Sequence, residues 1–128
     1  MIRGIGIDTV YIPDIRRFLD RGAISSSFFA RTFTDAERKA AGDEENQAEY
    51  YAARFAAKEA VFKALAHLLR DKSFDLRIIE TLHHADGAPY INCSGALQPF
   101  LNEAGIETIH LSVTTEKDYA SAFVVAES

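Results

Sequence analysis

Cysteine is all but absent from this chain of 128 residues: Cys93 stands alone. No disulfide can form within the chain, no Cys-based metal cluster can be assembled from it, and a reducing compartment is the expected setting. Long apolar runs are missing too. The apolar stretch in Met1-Ile2-Arg3-Gly4-Ile5-Gly6-Ile7-Asp8 is far shorter than a signal-peptide core and is cut by Asp8. No later run approaches the roughly 20 apolar residues of a membrane span. A soluble, cytoplasmic protein with no membrane partner is expected. Positive charge is in deficit, with 14 Lys and Arg against 19 Asp and Glu for a net charge of -5. That balance argues against nucleic acid as a partner, because domains that grip phosphate backbones are usually basic. Repeats, linkers and low-complexity segments are absent.

What is present suits one globular domain over residues 1–128. The chain is 48% hydrophobic and 26% charged, close to the globular average, and at this length it can bury roughly two-thirds of its unfolded surface. Charge is unevenly placed. Between Tyr11 and Ala40 six cations (Arg16, Arg17, Arg21, Arg31, Arg38, Lys39) outnumber four anions, giving +2 against -7 elsewhere. A locally basic segment on an acidic protein can attract an acidic partner; a solvated helical face would look the same.

The pattern predicts an α+β fold, with one long central helix and shorter helices packed on a small, mainly antiparallel sheet. Residues 2–8 read as a glycine-spaced strand delivering Asp8 at its end, and Pro13 marks a turn or helix start. Thr34-Asp35-Ala36-Glu37 has capping-box spacing, and residues 42–46 form a polar loop. From Gln47 to Arg70 there is neither Gly nor Pro, which predicts a helix. Tyr51, Phe55, Phe62, Leu65 and Leu69 make its core-facing stripe. A second, alanine-rich face carries Glu59 and Lys63. Short alternating runs at residues 77–84, 88–93, 108–115 and 119–126 predict strands, with turns at Asp86-Gly87 and Glu116-Lys117-Asp118. Ser94 is expected to cap a short helix that is irregular at Pro99 and stops at Gly105. Phe123 and Val125 read as core. The four histidines form no compact ligand set in these elements, so zinc is not expected.

Two places could carry chemistry: Asp8, and Glu59 with Lys58 beside it and Lys63 one turn later. Carboxylates from separate elements suit Mg²⁺, which takes oxygen ligands, keeps waters and leaves room for phosphate. A nearby ammonium can neutralise charge on a leaving phosphate. Plain alternatives exist. Glu59 and Lys63 have the spacing of an ordinary i,i+4 pair, Asp8 could be a cap, and Gly4 and Gly6 could serve only tight packing.

The order of these motifs resembles holo-acyl carrier protein synthase, the small bacterial 4'-phosphopantetheinyl transferase family. The resemblance rests on Gly4-Ile5-Gly6-Ile7-Asp8, on residues 28–34 (Phe-Phe-Ala-Arg-Thr-Phe-Thr) with Glu37, and on residues 54–60 (Arg-Phe-Ala-Ala-Lys-Glu-Ala) followed by Lys63-Ala64. Gly87-Ala88-Pro89-Tyr90, residues 110–114 (His-Leu-Ser-Val-Thr) and Tyr119-Ala120 complete it.

The resemblance implies transfer of the phosphopantetheine arm of coenzyme A to a serine of apo-acyl carrier protein, with Mg²⁺ required. It implies that Asp8 and Glu59 bind the metal, that Glu59 or a metal-bound water accepts the serine proton, and that Lys63 stabilises the leaving phosphate. It further implies coenzyme A contacts at Arg54, Lys58, Lys63, Gly87, Pro89, Ser112, Thr114 and Thr115, several of them across subunits of a homotrimer. For the carrier protein it points to Arg16, Arg17, Phe28 and Arg31.

The chain also departs from the family. Where Gly-Thr-Gly commonly follows Lys-Ala, it reads Leu65-Ala66-His67-Leu68. The helix is therefore expected to continue, with phosphate contacts there lost or supplied by His67 or Arg70. Asp14 replaces a basic residue, Ala88 the turn lysine, and Thr115 a His or Asp. A coenzyme A or carrier-protein binding module without turnover, or a purely structural oligomer, are the competing readings.

Overall fold

The computed structural model describes residues 1–41 and 46–128, without the side chains of residues 23–26; the loop expected at 42–46 falls almost wholly outside the described residues. Strand β1 (Ile2–Tyr11) leads into α1 (Ile12–Asp20), α2 (Ala23–Thr32), α3 (Asp35–Ala41) and the long α4 (Gln47–Leu65). Then come the hairpin β2 (Thr81–His83) and β3 (Pro89–Ile91), helix α5 (Gln98–Ala104), and the hairpin β4 (Thr108–Glu116) and β5 (Tyr119–Glu127). The strands form an antiparallel three-stranded sheet in the order β1-β5-β4 and a separate two-stranded sheet β2-β3.

The contact between α4 and the larger sheet is built from the smallest residues in the chain. Ala56, Ala57, Ala60 and Ala64 of α4, and Ala120, Ala122 and Ala126 of β5, are fully or almost fully buried. A Cβ added to Gly4 would land on the carbonyl of Ala64, and one added to Gly6 on that of Ala60. The glycines in β1 are there because the helix backbone occupies the space a side chain would need. This close approach brings the next inward position of β1, residue 8, against α4.

Thr34 and Glu37 form the capping box: the Glu37 amide donates to Thr34 Oγ1 at 3.1 Å and the Thr34 amide to Glu37 Oε1 at 3.0 Å. Glu37 does more than cap. Its carboxylate is almost fully buried and meets the ammonium of fully buried Lys58 at 2.8 Å. Lys58 also donates to the carbonyls of Leu76, at 3.0 Å, and Ile79. Those carbonyls belong to the segment expected to begin a strand at residue 77. Turned toward a buried ammonium, that segment forms a 3₁₀ turn over Leu76–Ile78 instead, and pairing starts only at Thr81.

Four further expectations shift. β1 continues to Tyr11 because it pairs with β5 throughout, so Asp8 lies within the strand opposite Ala122 rather than at its end. The long helix ends at Leu65 and tightens into a 3₁₀ turn over Ala66–Leu68, with Leu69 turned into the core and His67 Nε2 donating to the Arg3 carbonyl at 3.0 Å. Ser94 hydrogen-bonds to Asn92 and does not cap. α5 starts at Gln98, with Pro99 in the first turn where its missing N–H costs nothing. Phe123 is not core: β5 turns Ala120, Ala122, Val124 and Ala126 toward α4, so the opposite parity leaves Phe123 46% exposed beside Ile5 and Ile7.

Candidate active site

Because residue 8 shares the inward parity of Gly4 and Gly6, the Asp8 side chain is delivered to α4, where Lys63 stands one turn beyond Glu59. Lys63 Nζ donates to Asp8 Oδ1 at 3.0 Å and to the Ile7 carbonyl at 3.1 Å. The ammonium thus bridges helix and strand. Its charge reaches Glu59, but its ion pair is with Asp8.

Glu59 is half-buried, and its carboxyl is held above the ordinary carboxylate range. Burial is the largest cause, the negative charge of Asp8 the next, and Lys63 opposes both. Two carboxylates from different elements therefore stand close enough that the charge of Asp8 raises the cost of ionising Glu59. They line one cleft of about 360 Å³, whose apolar wall is Ile15 and Phe18 of α1, Phe28 of α2 and Phe55 of α4. Phe28 is fixed there, stacked on Phe18 with ring centroids 4.9 Å apart and edge-on to Phe55 at 5.7 Å. On its other side Glu59 borders a second cleft of about 240 Å³ with Phe62, Lys72 and Phe74.

This donor set fits a hard divalent cation. Oxygen ligands alone, from one or two carboxylates, are what Mg²⁺ accepts when waters and substrate phosphates complete its shell. Among the described residues no group of three or more His, Cys, Asp and Glu side chains is placed to hold a metal.

The other residues expected to bind coenzyme A are not gathered here. Arg54 and Pro89 line a small cavity of about 60 Å³ with Thr81, His83 and Val113. That cavity lies by β4, at the opposite edge of the sheet from β1, so β5 separates it from Asp8. Gly87 occupies the exposed β2–β3 turn with φ +91°, as that turn requires. Ser112 and Thr114 pair with Phe123 and Ser121 and share their outward face, away from α4. Thr115 is exposed near the strand end. Lys58 is a correction: fully buried and bonded to Glu37 and two carbonyls, it cannot reach coenzyme A in any cleft. The sequence held a signal for this, since residue 58 lies on one helical face with Tyr51, Val61 and Leu65, all buried.

On the basic segment, Arg16 is exposed, while the Arg17 guanidinium is paired with Asp14, the residue that departs from the family pattern. Arg31 is exposed in the last turn of α2, its Nε donating to the Ser27 carbonyl at 3.2 Å. His83 and Tyr50, which both contact Arg54, stand in no recognisable motif, so nothing in residue order marks them.

Comparison with known proteins identifies the family. Residues 4–124 match the family described as the 4'-phosphopantetheinyl transferase superfamily. The holo-[acyl-carrier-protein] synthase of Myxococcus xanthus is 40% identical, over 99% of this chain and 96% of its own. Among solved structures, the same enzyme from Neisseria meningitidis superimposes with a TM-score of 0.85 at 37% identity, covering 100% of both chains. That from Bacillus anthracis, in complex with CoA (3',5'-ADP), gives 0.77 at 33% identity over 100% of this chain and 98% of the other. With near-complete coverage on both sides, the chain belongs to the 4'-phosphopantetheinyl transferase superfamily.

Proposed function

We infer that this chain is a holo-acyl carrier protein synthase: it moves the 4'-phosphopantetheine group of coenzyme A to a serine of apo-acyl carrier protein and releases adenosine 3',5'-bisphosphate. The observation that carries the reading is the meeting of Asp8 and Glu59 at one cleft, with Lys63 bonded to Asp8, in a chain alike, end to end, to synthases of that name. The serine Oγ forms a bond to the β-phosphorus, the bond from phosphorus to the bridging oxygen breaks, and the hydroxyl proton passes to the Glu59 carboxylate. In the metal-free protein, burial and the charge of Asp8 hold that carboxylate above the ordinary glutamate range. Lys63, already hydrogen-bonded at the strand, stands beside the departing phosphate to offset its charge. Asp8 and Glu59 would hold Mg²⁺, which when bound neutralises the pyrophosphate and polarises its phosphorus.

We further propose that residues 1–128 form one catalytic domain, cytoplasmic, that works as a homotrimer. Ile5, Ile7, Tyr11, Tyr119 and Phe123 form an exposed apolar face on β1 and β5, larger than isolated surface residues explain. A partner subunit on that face would meet Ser112 and Thr114, which supports a coenzyme A site shared between subunits and accounts for the split within one chain. Arg16, Arg31 and the Phe28 wall of the cleft form the face for the acidic carrier. The described helices include none long and apolar enough to cross a membrane.

Mass spectrometry of several apo-carrier proteins incubated with the protein, coenzyme A and Mg²⁺ tests this. Phosphopantetheine addition lost in Asp8→Ala and Glu59→Ala is expected. Binding of coenzyme A with no product on any carrier would overturn the transferase reading in favour of a binding module.

A further inference from the structure

Arg54 is held in a way that assigns a task to a neighbour outside every motif. Tyr50, one turn earlier on α4, presents its ring to the guanidinium, whose centre lies 3.6 Å from the ring centroid. The ring is itself anchored, since Tyr50 Oη donates to the Glu37 carbonyl at 2.6 Å. In the plane of the guanidinium, Arg54 Nη2 stands 3.0 Å from His83 Nδ1. Arginine only donates, so Nδ1 must be the acceptor, and the His83 imidazole is neutral with its proton on Nε2. Burial and the Arg54 charge both hold the His83 pKa below its usual value, in keeping with that tautomer. A stack fixes the plane of a guanidinium and an in-plane acceptor fixes its rotation within the plane; both contacts limit the orientations open to Arg54.

We propose that His83 is a positioning residue for coenzyme A: by accepting from Arg54 at Nδ1 it orients the guanidinium toward the coenzyme, setting affinity for that substrate and not the rate of the chemical step. This rests on the reading of Arg54 as a coenzyme A contact. The cavity between Arg54, His83, Thr81, Pro89 and Val113 is only about 60 Å³, and the buried Thr81 hydroxyl has no hydrogen-bond partner there. It has room for water or a single oxygen group, not for a ring.

The test compares His83→Asn, whose Oδ1 sits where Nδ1 does and also accepts, with His83→Leu, which removes the acceptor, and with Arg54→Ala. Steady-state kinetics vary coenzyme A and carrier separately. His83→Leu is expected to raise KM for coenzyme A by roughly five- to tenfold, as for loss of one hydrogen bond to a charged group, with kcat and KM for the carrier unchanged. His83→Asn should stay within about twofold of the parent, and Arg54→Ala should raise the coenzyme A KM at least as far as His83→Leu. If Arg54→Ala raises that KM and His83→Leu does not, the inference fails while the reading of Arg54 stands. If Arg54→Ala leaves it unchanged, the reading of Arg54 fails first. Asn behaving like Leu would reduce His83 to a packing role. ¹⁵N NMR of the imidazole gives a check independent of activity: an unprotonated, accepting Nδ1 is expected, and a protonated Nδ1 in the free protein at neutral pH overturns the proposal.

Discussion

Lys58 and Lys63 stand five residues apart on one helix, in opposite surroundings. Lys58 is sealed in the interior, its ammonium matched to the Glu37 carboxylate and two carbonyls. Lys63 is half-exposed at a cleft, where its single charge faces two carboxylates, Asp8 and Glu59. Around Lys58 the ion pair with Glu37 is closed and every donor is used, which ties α3, α4 and the segment before β2 into one body. Around Lys63 charge is unbalanced by one negative unit, and a cation or a phosphate-bearing substrate has something left to do. Balance makes scaffold; imbalance leaves a site.

The contrast can be broken from either side. The largest effect is expected from Lys58→Met, which strands a buried Glu37 and should cost about 3–5 kcal/mol of stability, read as a drop in denaturant midpoint. Replacing Glu37 and Lys58 together with apolar residues of similar volume should recover most of that loss. Lys63→Met should instead leave the midpoint nearly unchanged while lowering kcat about a hundredfold, the scale of losing one group that stabilises developing charge. Equal stability losses for the two lysines would dissolve the distinction.

Gly6→Ala probes the geometry that joins the two regions. Its Cβ would meet the Ala60 carbonyl, so β1 must move off α4, at a cost of about 1–3 kcal/mol. Activity should fall beyond what the unfolded fraction explains, because Asp8 moves with the strand.

Smaller still is the effect of Glu59→Gln on stability without divalent cation. The folded-state pKa of Glu59 is raised, so its favourable contribution is complete below the unfolded pKa and is lost as pH rises through the folded one. The variant should therefore be the more thermostable at neutral pH, by no more than about 1 kcal/mol because solvent screens a half-exposed group. The difference should vanish at acid pH, and activity should be lost throughout. Least of all, Asp14→Ala should free Arg17 and lower KM for an acidic carrier by about twofold, the scale of one exposed ion pair.

Much of this was legible from residue order. The capping box at Thr34 and Glu37, the hairpin turn at Gly87 and the stop at Gly105 depend on neighbours within a few positions, and such local rules hold wherever the chain goes. The misreadings share a different origin. The strand expected at residue 77 lost its first turns to an ammonium arriving from α4. Apolarity alone points Phe123 to the core, and only pairing with β1 and β4 shows which parity of β5 meets the helix. Lys58 carried a motif's expected role to a position the helix buries.

The sequence by itself determined the α+β class, the long helix, the turns and the family, because periodicity and motif order are properties of the chain alone. Only the tertiary structure decided which charges are balanced and which are not. Asp8 is 55 positions from Lys63, Glu37 is distant from Lys58, and His83 from Arg54. Electrostatic energy depends on separation and burial in space, quantities that spacing along a chain does not contain.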